Sequence, residues 1–489
     1  MTRSRLIHSL KILSGPLAAM LIMVFADLSP GNPMVTRMAA LTAWMAIWWL
    51  SEVVHLAVTA LIPIVFMPVL GIAEPKIVAF QYMDQIIFLF IGGFLISFAV
   101  ERWGLHERIA LKILMIVGTR NDSILMGVMI TSFLISMWIS NTATVMMLIS
   151  AVMAIIYMTE QLGGASKHQN DFAKALLIGL AYSATIGGMA TLVGTPPNMV
   201  FMRSYMEAYP NNNDMTFTKW FSIGFPVAVL MLIVCFFVLK TLFIKQQRTE
   251  GLTKNYFKDA YTRLGAFSFE QKIVSVVFVL TAVLWFTRAE INFGFFTMPG
   301  WNSLFPFPEY IQDSTVAVFM ALVLFNFPAR SEKNTTILQW KDAAKLPFDI
   351  ILLFGSGFAL AKGFEVSGLS DWLAGQLKVF KGTNPIIMIA SISLIVCIIS
   401  EFASNVASIQ LVIPVLIAFQ KELDIPPLLL MVPATLAASL GFMLPVATAP
   451  NTIVFGSKKI AVGDMAKAGL LMDIFGIIII TLVVVLLQY

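Results

Sequence analysis

The chain has 489 residues, of which 58% are hydrophobic and only 12% are charged, and its mean hydropathy is +0.86. A soluble globular domain carries about 25% charged residues, so this composition excludes a soluble protein with a fully hydrated surface. The net charge is +5, but the basic residues lie in short loops between apolar stretches, as the positive-inside rule predicts. This distribution argues against a nucleic-acid partner and predicts an all-α polytopic protein embedded in a lipid bilayer.

Apolar stretches close to the roughly 20-residue spanning length recur along the chain. The N-terminal basic residues followed by an apolar stretch indicate a retained first span, which places the N-terminus in the cytoplasm. We predict eleven transmembrane helices, two of them broken, together with two re-entrant hairpins. The predicted spans lie at about 12–28, 38–54, 56–71, 85–100, 174–206, 221–243, 273–290, 312–328, 348–364, 427–457 and 464–487.

Residues 122–158 form one apolar stretch with Ser140-Asn141-Thr142 at its midpoint. Charged residues on both flanks predict that both ends lie on the cytoplasmic side. A single span cannot begin and end on one side, whereas a re-entrant hairpin with this phrase at its tip can. Non-helical backbone at that depth is tolerated only where protein or a polar cavity surrounds it.

The next span, 174–206, is interrupted by Gly194-Thr195-Pro196-Pro197-Asn198. Two prolines remove backbone donors and the glycine permits an unusual turn, so we predict that the helix unwinds here. Further along, the basic segment 245–272 is the longest polar stretch and is predicted to be a cytoplasmic linker. It divides the chain into two halves, 1–244 and 273–489.

The second half repeats this plan. Residues 386–422 form the second predicted hairpin with Ser404-Asn405 near its midpoint, and 427–457 form a second span, broken at Ala447-Thr448-Ala449-Pro450-Asn451. Ser140-Asn141 returns as Ser404-Asn405 264 residues later, and Pro197-Asn198 returns as Pro450-Asn451 after 253 residues. An odd number of crossings between the hairpins predicts an inverted repeat, an arrangement typical of secondary transporters.

Nearly all polar groups in these phrases are neutral hydroxyls, amides and exposed backbone. Such oxygens, with carbonyls freed by a helix break, can coordinate sodium, while the positive end of a half-helix attracts an anion. A dianion in a site of low dielectric incurs a large desolvation penalty, which a neighbouring sodium ion offsets. Each ligand therefore raises the affinity of the other, and the pattern predicts a site that binds both.

These phrases resemble those of the divalent anion/sodium symporter family, whose members carry dicarboxylates, citrate or sulfate. The resemblance covers essentially the whole chain and rests on both Ser-Asn phrases, on 194–198 and on 444–451. It implies a homodimer in which each protomer has a scaffold domain and a mobile transport domain that slides across the membrane as an elevator.

The resemblance also implies which residues bind the ions and the anion. One sodium would be held by Ser136, Ser140, Asn141 and Gly194. A second would be held by Ser400, Ala403, Asn405 and Ala447, with both alanines contributing backbone carbonyls. The anion's carboxylates would meet Ser140, Asn141, Thr142, Ser404, Asn405 and Thr448, with Thr195 as a neighbour.

Three positions differ from the repeated pattern. Val406 replaces the hydroxyl that Thr142 supplies in the first phrase, and Ala449 stands where the family often has a second proline, which makes the second break less rigid. Glu401 is a carboxylate in apolar surroundings, a functional candidate by default. Its interpretations stay open: it tunes the second sodium site, takes a proton, or is a structural carboxylate at a hairpin end.

We therefore expect a sodium-coupled symporter that imports C4 dicarboxylates such as succinate, malate or fumarate, in a bacterial inner (plasma) membrane. The alternatives are a sodium-independent dicarboxylate exchanger, a sodium-coupled carrier of citrate or sulfate, or a channel that uses the same broken helices. The chain carries no nucleotide-binding loop, HExxH motif, nucleophile elbow or CxxC motif, so we expect neither an enzyme nor a cofactor other than the coupling sodium ions.

Overall fold

The computed structural model describes residues 3–118, 120–163, 167–210, 215–244, 254–292, 296–332, 334–376, 382–423 and 425–488. In these ranges the protein is predominantly helical, with one short two-stranded antiparallel sheet. Eight of the described helices are long and apolar enough to cross a membrane, and six shorter apolar helices accompany them. The protein is thus built as an all-α integral membrane protein.

The described part of 3–244 contains twelve α-helices and a short 3-10 helix, Gln81–Met83. Several begin at the caps that their sequence supplies: Asn32 precedes a proline at the start of one helix, and the Asp84 carboxylate accepts the Ile86 amide at 3.0 Å at the start of another. The helices are α1 (Arg3–Phe25), α2 (Pro33–Ser51), α3 (Leu56–Thr59), α4 (Ile62–Val69), α5 (Pro75–Phe80), α6 (Gln85–Arg102), α7 (Leu105–Val117), α8 (Asn121–Ser136), α9 (Asn141–Gly163), α10 (Lys167–Met189), α11 (Pro196–Ala208) and α12 (Phe217–Phe243).

The rest of the chain forms the remaining helices and the sheet. The sheet pairs Ile291 with Met298 in a loop between two helices. The helices are α13 (Lys254–Arg263), α14 (Phe269–Phe286), α15 (Asp313–Asn326), α16 (Trp340–Ala343), α17 (Phe348–Ser367), α18 (Leu369–Gln376), α19 (Pro385–Phe402), α20 (Asn405–Leu423), α21 (Leu428–Ala437), α22 (Ala449–Phe455) and α23 (Val462–Gln488), and the strands are β1 (Ile291–Asn292) and β2 (Thr297–Met298).

The predicted third span, 56–71, is not one continuous helix. It forms α3 and α4, separated at Ala60-Leu61, because Pro63 has no amide to continue the hydrogen-bond ladder and instead occupies the first turn of α4. Part of the predicted linker forms α13, while residues 245–253 and the loop residues 211–214 lie outside the described part of the chain.

Each of the four segments predicted to be a hairpin or a broken span is divided into two helices. We call α8 and α9, joined at 137–140, hairpin 1, and we call α19 and α20, joined at 403–404, hairpin 2. Break 1 (190–195) separates α10 from α11, and break 2 (438–448) separates α21 from α22.

The broken helices occupy the centre of the fold. In the apolar 18-residue stretch of α10, 94% of the residues are buried, and this helix packs against α8, α9, α12 and α22. The packing crosses between the halves, since α9 contacts α22 and α20 contacts α11. One helix of each hairpin thereby lies against the broken helix of the other half.

Candidate functional site

Each hairpin tip is closed by the same hydrogen bond. The Ser136 hydroxyl donates to the Asn141 amide oxygen at 2.7 Å, and the Ser400 hydroxyl donates to the Asn405 amide oxygen at 2.9 Å. Both serines are fully buried, and both asparagines are half-buried. Each tip therefore fixes an amide oxygen and a hydroxyl oxygen side by side, as a coordination shell for a hard cation requires.

The second helix of each hairpin begins at the tip asparagine. The Ser140 hydroxyl accepts the Ala143 amide at 3.3 Å in the first turn of α9, and the Ser404 carbonyl accepts the Ser408 amide at 2.9 Å in the first turn of α20. The first amides of a helix have no intrahelical acceptor, and the helix dipole makes this end positive. Both tips thus present a surface that favours an anion.

The two helix breaks are held in shape by equivalent asparagines. The Asn198 amide nitrogen donates to the carbonyls of Gly188 at 3.1 Å and Thr191 at 2.7 Å. The Asn451 amide nitrogen donates to the carbonyls of Gly441 and Leu444, both at 3.1 Å. In both halves the amide oxygen is buried without a partner among the described residues. These asparagines give the unwound backbone a defined geometry in place of helical hydrogen bonds.

Gly188 and Gly441 lie where tip and break meet, and the sequence did not identify either of them. A side chain at Gly188 would collide with the Asn141 amide, and the Gly188 backbone in turn leaves no room for a side chain at the predicted Gly194. A Cβ at Gly441 would lie 3.2 Å from the Ala447 Cβ and 3.3 Å from the Ser400 carbonyl oxygen. The only signal in the sequence was that Gly188 and Gly441 are separated by the same 253 residues as the break asparagines.

The structure thus groups most predicted sodium-site residues into two clusters. Ser136, Asn141 and Gly194 converge around Gly188, and Ser400, Asn405, Ala447 and Thr448 converge around Gly441. The other predicted residues lie at the same tips and breaks: Ser140 and Thr142 at hairpin 1, Ala403 and Ser404 at hairpin 2, and Thr195 at the start of α11.

The two tips differ in how far other helices cover them. The Trp138 ring at tip 1 stacks on Trp285 with centroids 6.3 Å apart, and Val193 of break 1 packs beside Gly93 of α6. The equivalent residues of the second half are open, since Phe402 is 69% exposed and Val446 is 79% exposed.

A cavity of about 340 Å³ lies away from these clusters, between the end of α11 and the 287–312 loop. It is bordered by a buried ion pair in which Arg203 Nε lies 2.8 Å from a carboxylate oxygen of Asp84. Arg203 also donates to Glu207 at 2.9 Å and to Gln81 at 3.1 Å. None of the predicted site residues lines this cavity, so it is separate from the clusters around Gly188 and Gly441.

Comparisons with known proteins give a consistent relationship. Residues 8–488 match the family model described as the sodium:sulfate symporter transmembrane region. The sodium-dependent dicarboxylate transporter SdcS of Staphylococcus saprophyticus is 38% identical over 91% of this chain and 84% of its own length. The transporter of the same name from Staphylococcus aureus is 36% identical over 97% of this chain and 90% of its own length.

Among solved structures, Neisseria gonorrhoeae MtrF, described as representing a class of antimetabolite efflux pumps, aligns with a TM-score of 0.57 at 12% identity. The alignment covers 95% of this chain and 96% of that chain, and at this identity it indicates a common fold only. The match to the family model extends over nearly the whole chain, and the curated relatives are transporters rather than enzymes. The chain therefore belongs to the sodium:sulfate symporter family, the divalent anion/sodium symporters.

Proposed function

We propose that the protein is a secondary active transporter that imports C4 dicarboxylates such as succinate, malate or fumarate together with sodium ions. The relatives at 36% and 38% identity, both described as sodium-dependent dicarboxylate transporters, support the substrate class and the coupling ion. The single observation that carries the proposal is the pair of Ser–Asn hydrogen bonds at the two hairpin tips, each packed against a glycine and an unwound helix.

We assign one sodium ion to each cluster. The first would be held by Ser136, Ser140, Asn141 and Gly194, and the second by Ser400, Ala403, Asn405 and Ala447. Hydroxyl, amide and carbonyl oxygens are neutral hard ligands, and they bind a monovalent cation weakly enough for release on the other side of the membrane. The two Ser–Asn contacts support this assignment because they preposition two oxygens in each cluster.

The anion would lie between the tips, with one carboxylate directed at each. Ser140, Asn141 and Thr142 would contact it from hairpin 1, and Ser404 and Asn405 from hairpin 2, with Thr195 and Thr448 at the breaks. The positive ends of α9 and α20 would attract its negative charges. Bound sodium ions would offset the desolvation of the dianion, so cation binding and anion binding would promote each other.

We propose that the protein is a homodimer, that each protomer is built from two inverted halves, and that the transport domain of each protomer slides across the membrane as an elevator. The unequal cover of the tips supports such alternation, since Trp138 is packed against α14 whereas Phe402 is open. With the N-terminus in the cytoplasm, hairpin 2 enters from outside and its open tip faces the cytoplasm, so we assign the structure to an inward-facing state. Asp84 and Arg203 then close the opposite, outer side.

The test is uptake of labelled succinate into proteoliposomes with and without an inward sodium gradient. We expect uptake to require the gradient and to be inhibited by unlabelled malate and fumarate more strongly than by citrate or sulfate. Equal uptake with and without sodium would refute sodium coupling, and sodium-free exchange in vesicles preloaded with succinate would identify an exchanger instead. Stronger inhibition by citrate or sulfate would reassign the substrate.

A further inference from the structure

The two halves join hairpin tip to helix break by different chemistry. Thr191 and Leu444 are equivalent through the 253-residue offset of the breaks, and Met137 and Glu401 are equivalent through the 264-residue offset of the hairpins. In both halves the residue of the break bonds to the residue of the hairpin, but the bonding atoms differ.

In the first half the bond runs from a side chain to a backbone carbonyl. The Thr191 hydroxyl of break 1 donates to the Met137 carbonyl oxygen at tip 1. The same hydroxyl accepts the Gly194 amide at 3.1 Å, so one neutral group joins the hairpin to the glycine of the first cluster. This contact uses no charged group.

In the second half the bonds run from backbone amides to a carboxylate. The Met443 amide donates to one oxygen of Glu401 at 2.7 Å, and the Leu444 amide donates to the other at 3.1 Å. Glu401 is only 4% exposed, which excludes a free carboxylate at a hairpin end. One carboxyl group thus accepts two consecutive backbone amides, a contact that we call the carboxyl clamp, where the first half has a single hydroxyl.

The clamp acts on the backbone segment that shapes the second cluster. Leu444 is held from both sides, because its amide is bound by Glu401 and its carbonyl by Asn451. The neighbouring Phe442 carbonyl accepts the Tyr182 hydroxyl at 2.6 Å. Glu401 follows Ser400 directly, so the clamp connects the Ser400–Asn405 pair to the break that carries Ala447.

A second carboxyl group supports this arrangement and also occurs in only one half. Asp473 of α23 is 4% exposed, and neither of its carboxyl oxygens has a hydrogen bond of ordinary geometry within the described residues. Its carboxyl group lies against that of Glu401, with Cys397 and Tyr182 nearby. Gly469 of α23 packs on break 2, and Gly224 of α12 packs in the same way on the end of α10. Four residues after these glycines, the second half has Asp473 and the first half has Ala228.

We propose that Glu401 is the positioning residue of the second sodium cluster: its carboxylate holds break 2 against tip 2, so that this cluster is already formed before the ion arrives. This inference rests on the proposed function for the identity of the ion, but the clamp itself is a property of the backbone. Break 1 has no carboxyl group at the equivalent residues, so Glu401 acts on one of the two clusters only.

Hydrogen exchange with mass spectrometry on the full-length protein in lipid nanodiscs tests the clamp directly. Glu401→Gln replaces one of the two acceptor oxygens with an NH2 group, so one of the amides of 443 and 444 loses its acceptor. We expect the exchange of these amides without sodium to accelerate about tenfold, which corresponds to roughly 1.4 kcal/mol. Peptides covering break 1 are the internal control and should exchange as in the parent. Glu365→Gln is the matched control variant, because the Glu365 side chain is 59% exposed and pairs only with Lys362 in the described contacts.

Glu401→Asp separates position from charge, since it keeps the carboxylate but shortens the side chain by one methylene. We expect it to exchange like Glu401→Gln. Parent-like exchange of break 2 in Glu401→Asp would show that charge alone matters and would overturn the positioning role, as would unchanged exchange in Glu401→Gln. Either variant suffices if the other fails to fold.

Sodium titrations link the clamp to transport. We expect Glu401→Gln to raise the sodium concentration for half-maximal succinate uptake about tenfold, while the succinate KM at saturating sodium stays within about twofold. A proportional loss of both affinities would indicate general damage and contradict a role confined to one cluster. The clamp and the proposed function can fail separately. If the parent shows no sodium response but Glu401→Gln still accelerates exchange at break 2, the clamp is supported and sodium coupling is refuted.

Discussion

The Ser400 hydroxyl donates a hydrogen bond of 2.9 Å to the Asn405 amide oxygen, and Ser136 and Asn141 form the same bond 264 residues earlier. Within each pair the residues are five apart in sequence and lie on the two sides of a hairpin tip. The bond places the amide oxygen beside the hydroxyl oxygen. Both oxygens keep lone pairs that can coordinate a cation.

Replacing either tip asparagine should weaken both sodium and anion dependence. Each of Asn141→Ala and Asn405→Ala removes one proposed sodium ligand. Asn141→Ala also removes the acceptor of the buried Ser136 hydroxyl, whereas the Ser400 hydroxyl keeps the Ala438 carbonyl oxygen at 2.5 Å in Asn405→Ala. We expect a rise of about 10- to 100-fold in half-saturating sodium and a parallel rise in succinate KM, measured by uptake into proteoliposomes. Asn326→Ala, at an exposed asparagine whose amide contacts only its own helix in the described contacts, is the control. Unchanged sodium activation in both tip variants would contradict a shared site.

The two junction glycines should respond unequally to alanine. A Cβ at Gly188 would lie 3.1 Å from the Asn141 Cγ and closer to its oxygen, so Gly188→Ala must displace that amide. A Cβ at Gly441 meets its neighbours at 3.2–3.4 Å, a contact that small shifts can relieve. We expect Gly188→Ala to abolish sodium-dependent uptake and Gly441→Ala to reduce it several-fold. Gly375→Ala, where no atom lies within 4 Å of the added Cβ, should transport normally. Equal losses at both junctions would contradict this geometry.

The sequence reveals some parts of this site and hides others for physical reasons. The tips and breaks could be predicted because Ser, Asn and Pro stand out within apolar spans and recur at constant offsets. Gly188 could not, because a glycine in an apolar helix gives no signal of the side chain that it faces. The role of Glu401 was equally hidden, since its partners are backbone amides 42 and 43 residues away. The interruption of the predicted 56–71 span could not be predicted, because its apolar length indicates one continuous helix whereas Pro63 indicates a break.

The buried ion pair between Asp84 and Arg203 should stabilise the fold. Asp84→Asn leaves the Arg203 guanidinium with one fewer charged partner, while Glu207 remains at 2.9 Å. Breaking a buried pair typically costs about 3–5 kcal/mol, and we expect the lower end here because Glu207 still compensates part of the charge. Thermal unfolding of the detergent-purified protein measures the effect, with the exposed Asp371→Asn as control. An unfolding midpoint equal to that of the parent would show that the pair contributes nothing to stability.

Position 406 should influence which anion is preferred. Val406 is the second residue of α20 and is 7% exposed, whereas the equivalent Thr142 of hairpin 1 is half-buried and carries a hydroxyl. Val406→Thr keeps the side-chain shape and adds a donor, so we expect transport to continue while the ratio of succinate to sulfate or citrate inhibition changes by about threefold or more, equivalent to roughly 0.7 kcal/mol. Thr142→Val is the reciprocal variant and should shift the ratio in the opposite direction if both positions face the anion. Identical competitor profiles in Val406→Thr and the parent would mean that residue 406 does not contact the transported anion.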